Sequence, residues 1–583
     1  MTISKSSKDI SFFLISGLLI LFCLSSCSQV VPITDKSSTS DQSIISIITT
    51  TDLHGHIETL PRIAGFISNL RKARSADGGG VLLLDGGDMF QGELASNLDE
   101  GATVVEAYNQ MGYGAVTIGN HEFDFGPVGP SVIPKPGDNP RGALQARAAQ
   151  ANYPFLAANT IDRKTGKPLV APNIKPSTII EINGVKVGLI GVLTLEATQS
   201  IIVPIFSGLR LGPLDDAINH QAQLLRSKAK QVRARGATIV IAIAHAGGSC
   251  TKFDNPDDLS SCNQNAEIFE VARKLEPGLV DAIVAGHTHQ KLAHRVNGIP
   301  IIQAGKNGET LARLDLYVEA KSGYVSKNVL HAPVDVCKKV AGNSSCENVH
   351  YEGLAVSDDP EVTRIVNVAI EASNQRRNEL IGVELSTPVR RATVAGAESA
   401  LGNLVADLMR KARPNVDVAI THAGGLRADL PTGPLQYGSL YEVYPRDSTF
   451  AVATLTGSQL ESAIAKNLSG PTGLLISISG ASVEAQCSPN GQLDVVLRNE
   501  GGHQIGPQEP VVVATNTLLA LGSEGPFTGI QWSVEDDPPI REELVKVLAS
   551  QGGILRGDGI PLFNPQHPRV TISSVPPVKC LKE

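Results

Sequence analysis

Between residues 44 and about 335, short unbroken apolar runs alternate with stretches whose apolar residues recur at helical spacing. The runs SIISIIT, VLLLD, GAVTI, VKVGLIG, TIVIAIA, DAIVA and IPIIQ are brief and rich in β-branched residues, and this predicts strands. Residues 215–234, DDAINHQAQLLRSKAKQVRA, have the spacing of an amphipathic helix. Strands separated by helices predict an α/β domain over 44–335. Residues 357–380 read as one long helix capped by Ser357 or Asp358, coming after a cysteine-containing segment, so 336–382 is expected to join two domains. From 383 to 583 a second mixed region begins, with Gly- and Pro-rich turns such as PTGPLQYG. No tandem repeat is visible.

The residues at the carboxyl ends of these strands change the picture. SIISIIT leads into TTDLHGH, VLLLD into GGDMFQG, and GAVTI into GNHEFD; TIVIAIA leads into HAGG and DAIVA into GHTH. Five strands therefore end in Asp, Asn or His, beside Gly in most cases. In open α/β sheets the carboxyl ends of the strands form the crevice where ligands sit, so these segments should converge. Asp52, His54, Asp88, Asn120, His245, His287 and His289 would bring carboxylate, amide and imidazole donors together. Such mixed N and O donors suit zinc, manganese or iron, and a carboxylate such as Asp88 can bridge two divalent ions. Each short motif alone is a weak signal, but five in order after five strands form a strong one. His56, His220, His294, His331, His350, His503 and His567 lack that context and default to surface roles.

Composition narrows the function further. The 583 residues exceed what one core usually serves, and the net charge of −8 argues against a partner as acidic as nucleic acid. Aromatic residues make up 4% of the chain, which gives no stacking platform for single strands. At the N-terminus Lys5 and Lys8 precede FFLISGLLILFCL, too short to span a bilayer comfortably, and the run ends in LSSC. This pattern resembles a bacterial lipoprotein signal over residues 1–27, with Cys27 the lipid-carrying residue and 28–43 a flexible tether. Export is expected either way, to the periplasm or cell surface. With Cys23 and Cys27 set aside, six cysteines remain, a count suited to an oxidising compartment. Spacing suggests pairing of Cys250 with Cys262 and of Cys337 with Cys346; Cys487 with Cys580 is then paired by elimination.

The motif order Asp-x-His, Gly-Asp, Gly-Asn-His-Glu, a separate His and Gly-His-x-His resembles that of the calcineurin-like metallophosphoesterases. With the second half included, the chain resembles the 5'-nucleotidase family. The resemblance implies a four-layer α/β/β/α N-terminal domain, a linker helix and a C-terminal α/β substrate domain. It implies that Asp52, His54 and His289 hold one ion, that Asn120, His245 and His287 hold the other, and that Asp88 bridges them. His121 would then face the substrate and protonate the leaving oxygen, with Asp124 orienting its ring. Glu122 receives no role. The ions would generate hydroxide near neutral pH for in-line attack on phosphorus.

In the second domain the resemblance places substrate contacts at Arg427, after a turn shaped by Gly424 and Gly425, with Asn403 alongside. The chain departs from the family pattern at His422, where Asn is usual, and at Arg446, where one of two base-stacking rings is usual. GSEGPF stands where a Gly-Gly-Asp-Gly-aromatic pattern is common, leaving Phe527 as the expected ring and Glu524 nearby. The substrate expected is a nucleotide or another small phosphoester. Cyclic-nucleotide phosphodiesterase, UDP-sugar hydrolase and thiosulfohydrolase chemistry remain open on the same site, as does, remotely, a non-catalytic surface binding protein.

Overall fold

The computed structural model describes residues 42–583 apart from 232–235, 341–342, 346–348, 393–397, 471–475, 523–524, 537, 557–561, 565, 573–577 and 581–583. The expectations for Cys23, Cys27, Cys346 and Glu524, and nearly all of the tether, lie outside those residues.

Two sheets form the N-terminal half. One runs, edge to edge, Val325–Asp335, Thr310–Glu319, Gln42–Thr50, Gly80–Asp85, Ala115–Thr117, Phe155–Leu156 and Ile174–Lys175. The other runs Lys291–Val296, Ile299–Ala304, Ala282–Ala285, Ile239–His245, Val185–Leu193 and Ser177–Ile182. The uninterrupted apolar runs have a simple cause: both faces of each sheet are covered. Ile45, Ile47, Leu82 and Leu84 of the first sheet meet Val187, Leu189, Ile239, Ile241 and Ile243 of the second in one buried layer. The alternate residues face outward onto helices. Ile48 and Leu83 pack among Ile63, Phe66 and Leu70 of the helix Leu60–Ala76. Val240, Ala242 and Ala244 pack among Ile218, Ala222 and Leu225 of the helix Leu214–Gln231. The order of layers is helix, sheet, sheet, helix.

The joining helix is Pro360–Arg377, shorter than expected, and its cap is Asp359 rather than Ser357 or Asp358. The Asp359 carboxylate accepts from the N–H groups of Glu361 and Val362 at 3.0 Å each, and Pro360 occupies the first turn, where its missing N–H costs nothing. Val362, Ile365 and Val366 seat this helix on the first helical layer. Thr310–Glu319 and Val325–Asp335, an antiparallel pair, were absent from the strands expected. Buried charge disguised the first of them. Arg313 and Asp315 lie within it, and they hydrogen-bond each other through two contacts of 2.8 and 2.7 Å.

In the C-terminal half a five-stranded sheet runs Ile476–Ser479, Val418–His422, Pro510–Asn516, Phe450–Thr456 and Ser533–Val534. Its two faces are covered by separate apolar clusters, one including Leu460 and Ile464, the other Leu404, Leu408 and Leu544. Cys250–Cys262 and Cys487–Cys580 are disulfide-bonded, and Cys337 is also oxidised to a disulfide. No described helix is long and apolar enough to cross a membrane.

Candidate metal-binding active site

All seven expected ligands meet where the strands of the two sheets end. The donor atoms of Asp52, His54 and His289 lie within 4.8 Å of one another, and so do those of Asp88, His245 and His287. Asp88 stands between the sets. One of its carboxylate oxygens is 3.1 Å from His245 Nε2 and 4.0 Å from His54 Nε2, and the other accepts the His121 N–H at 2.9 Å. The Asn120 Oδ1 is 3.1 Å from His245 Nε2. Two of the rings are aimed from behind: His54 Nδ1 donates to the Gln91 carbonyl at 2.9 Å and His245 Nδ1 to the Gly86 carbonyl at 2.8 Å. That leaves Nε2 of each for a cation.

The backbone is bent to make this possible. Asp52, His54, Asp88, His287 and His289 have φ of 51°, 49°, 58°, 74° and 59°, a left-handed region costly for residues with a Cβ. Five strained residues of this kind at one locus mark a site held for function. Gly119 must be glycine, since a Cβ there would lie 2.2 Å from the Asp88 carboxylate.

The electrostatics fit cations. Burial drives His287 and His289 down to about 4, so both present neutral rings with free lone pairs. Burial pushes Asp52 up to about 8, with the pull of His245 opposing and the neighbouring Asp88 charge adding to the rise. Asp88 is held well below the carboxylate range; burial opposes this, but His245 and His121 outweigh it. Cys250, Cys262 and His294 also cluster, but both sulfurs are spent in the disulfide.

His121 stands at the rim of the ligand set, its Nδ1 2.6 Å from Asp124 Oδ2. Glu122, to which the sequence pattern assigns no role, is buried beneath the site. Its carboxylate accepts three backbone N–H groups, from Asp88 at 2.9 Å, Met89 at 2.7 Å and Gly119 at 2.7 Å. These tie the loop of Asp88 to the loop of Asn120. Nothing in a local motif signals a carboxylate used this way.

The substrate-side expectations divide. Gly424 and Gly425 lie in a short 3-10 turn after the strand Val418–His422. Arg427 and Arg446 line the same cavity of about 500 Å³ as His54, His121 and His289. Asn403 and Phe527 are elsewhere. Asn403 is buried and donates its amide to Glu398 Oε1 at 2.6 Å and the Leu562 carbonyl at 2.7 Å. Phe527 is 1% exposed in the C-terminal core, edge-on to Trp532, so it offers no ring to a substrate. Of the histidines assigned to the surface, His294 is 0% exposed, on a strand beneath the Cys250–Cys262 loop, and His331 hydrogen-bonds Asp315 at 2.9 Å.

Comparison with known proteins gives the same picture. The family model described as "Calcineurin-like phosphoesterase" matches residues 45–291, and "5'-nucleotidase, C-terminal domain" matches 379–531. Protein UshA of Yersinia enterocolitica is 26% identical over 524 residues, 84% of this chain and 87% of that protein. Endonuclease YhcR of Bacillus subtilis is 25% identical over 501 residues, 83% of this chain but 38% of that much longer protein. Among solved structures, a 5'-nucleotidase precursor from Thermus thermophilus aligns with a TM-score of 0.65 at 20% identity, covering 91% of this chain and 99% of that one, which shows the shared fold. The chain belongs to the 5'-nucleotidase family of calcineurin-like metallophosphoesterases, metal-dependent hydrolases of phosphoric esters.

Proposed function

We propose that the protein is an exported phosphohydrolase that removes phosphate from nucleotides or closely related small phosphoesters. One observation carries this: two ligand sets meet on either side of Asp88, and His54 and His289 of the first set line one cavity together with His121, which pairs with Asp124, and Arg427. Asp52, His54 and His289 would hold one divalent cation and Asn120, His245 and His287 a second, with zinc, manganese or iron suiting these donors. Bound there, the cations would supply Lewis-acid activation of water and of the phosphoryl group.

The remaining work belongs to side chains. Arg427 presents a planar fork suited to anionic oxygens of the substrate. His121 gives up its proton to the departing ester oxygen. Burial disfavours its charged form, but Asp124 and Asp88 more than offset this and hold the ring above the ordinary imidazole value. Asp124 fixes the ring through Nδ1, so the opposite nitrogen is the one that meets the substrate. Glu122 keeps the loops of Asp88 and Asn120 in register.

The disulfides fit an oxidising compartment, and the N-terminal pattern supports a lipid anchor at Cys27. The test is turnover of 5'-AMP, ADP, UDP-glucose, 2',3'-cyclic AMP and simple phosphate monoesters with manganese or zinc, and with EDTA. Hydrolysis abolished by EDTA is expected; no turnover of any of them with added metal overturns the reading.

A further inference from the structure

The cavity that holds His54, His121 and His289 is also lined by Lys306, Arg391, Arg427 and Arg446 and by the acids Glu93 and Glu442. Its charge does not balance internally. Both acids are engaged by Arg377, which pairs with Glu93 and reaches Glu442 at 2.9 Å. Arg391 is paired with Asp429 at 3.2 Å. Among the described residues neither Arg427 nor Arg446 forms an ion pair. Asp124, the acid that acts on Arg427, is already committed to His121. Burial, and then the neighbouring charges of Arg446 and Arg391, disfavour the charged form of Arg427, as expected of guanidinium groups gathered without anions. His422 brings no negative charge: burial, with Arg446 and Arg427 nearby, holds it neutral at about 4.

The same cavity has little to offer a nucleobase. Imidazoles aside, Tyr441 is its one ring among the described residues; it is 2% exposed and its hydroxyl donates to the Gly92 carbonyl at 3.1 Å. A site with two unpaired guanidinium groups and no open ring face selects charge rather than stacking. Two forks match the two negative charges of a phosphate, where a carboxylate would need one.

We propose that Arg427 and Arg446 form a second anion site, and that the preferred substrates are phosphoesters whose leaving group carries a further phosphate. This rests on the phosphohydrolase reading above and specifies its substrate class. In the reaction water forms the new O–P bond and the ester O–P bond breaks. The leaving oxygen takes a proton, and the second phosphate stays intact on the product, held against the arginines.

The test compares kcat/KM of the full chain with manganese for two pairs: 5'-AMP against adenosine 3',5'-bisphosphate, and fructose 6-phosphate against fructose 1,6-bisphosphate. Each bisphosphate is expected to exceed its monophosphate by roughly tenfold to a hundredfold, the range for charge-assisted hydrogen bonds, with the gap shrinking as salt is added. Arg446→Gln and Arg427→Gln should each collapse that ratio, and Arg446→Lys should restore part of it. Calorimetry on EDTA-treated protein gives a readout without turnover: adenosine 3',5'-bisphosphate should bind more tightly than 5'-AMP, and Arg446→Gln should remove the difference. Monophosphates turned over as well as bisphosphates overturn the second anion site and leave the phosphohydrolase reading standing. If nothing is turned over, that reading falls, and equal binding of the two adenosine ligands overturns the anion site by itself.

Discussion

His121 touches both sides of the chemistry: its backbone N–H donates to Asp88 at 2.9 Å and its ring leans on Asp124. If His121 is the proton donor proposed above, His121→Ala should lower kcat by about 10²–10⁴, the usual worth of a positioned general acid, while leaving the metal content measured by elemental analysis unchanged. Asp124→Asn should cost less, since the ring remains but loses its charged partner. Glu122 is a different case. Glu122→Ala orphans three buried N–H donors, and at about 1–3 kcal/mol for a buried group left unsatisfied the loss of stability should reach several kcal/mol in urea denaturation, together with loss of activity. A mutant with wild-type stability would contradict that role. These two residues also show what the sequence discloses. The proposed ligands and His121 announce themselves because each comes after an apolar run at a strand end. Glu122 stays hidden because two of its three partners are backbone groups of a loop distant in sequence, and Phe527 misleads because a ring's type says nothing about which way it faces.

At the scale of elements, the strands of the α/β domain were legible because they are buried on both faces and read as pure apolar runs, whereas their stacking into two sheets between helices came from the family resemblance. The hairpin of Thr310–Glu319 and Val325–Asp335 was not, since it carries Arg313, Asp315 and His331 where an apolar pattern was sought. Its charges explain a pH effect. Burial would raise Asp315, but hydrogen bonds from His331, Arg313 and Ser46 outweigh it and hold the carboxyl well below the usual range. A carboxyl depressed in the folded state contributes stability that is present above its unfolded value, about 3.9, and is lost as the pH falls toward the folded one. The melting temperature should therefore drop more steeply between about pH 4 and pH 2 in the native protein than in Asp315→Asn, with the variant less stable at neutral pH. Parallel melting curves would refute the assignment. The joining helix gives a smaller test: Asp359→Ala removes a cap accepting two N–H groups and should cost about 1 kcal/mol in chemical denaturation.

For the molecule as a whole, bound cations and covalent staples should act on stability separately. Chelation should lower the melting temperature, because ions that bind only the folded chain stabilise it by mass action, and manganese should restore it. Reduction of Cys487–Cys580, whose partners are 93 residues apart, should cost on the order of 4 kcal/mol in the C-terminal half. One of the places where the two halves meet is a small patch. Leu94, Tyr437 and Tyr441 form an apolar cluster, Asn97 donates to the Tyr441 hydroxyl, and that hydroxyl reaches the Gly92 carbonyl. Gly92 also lies next to Gln91, whose carbonyl aims the His54 ring. The single stretch 91–97 thus serves as both a bearing surface for the C-terminal half and a mount for one imidazole. A disturbance of the Tyr441 contact is therefore passed along this stretch to the aim of the His54 ring, and Tyr441→Phe should loosen the bearing and the mount together.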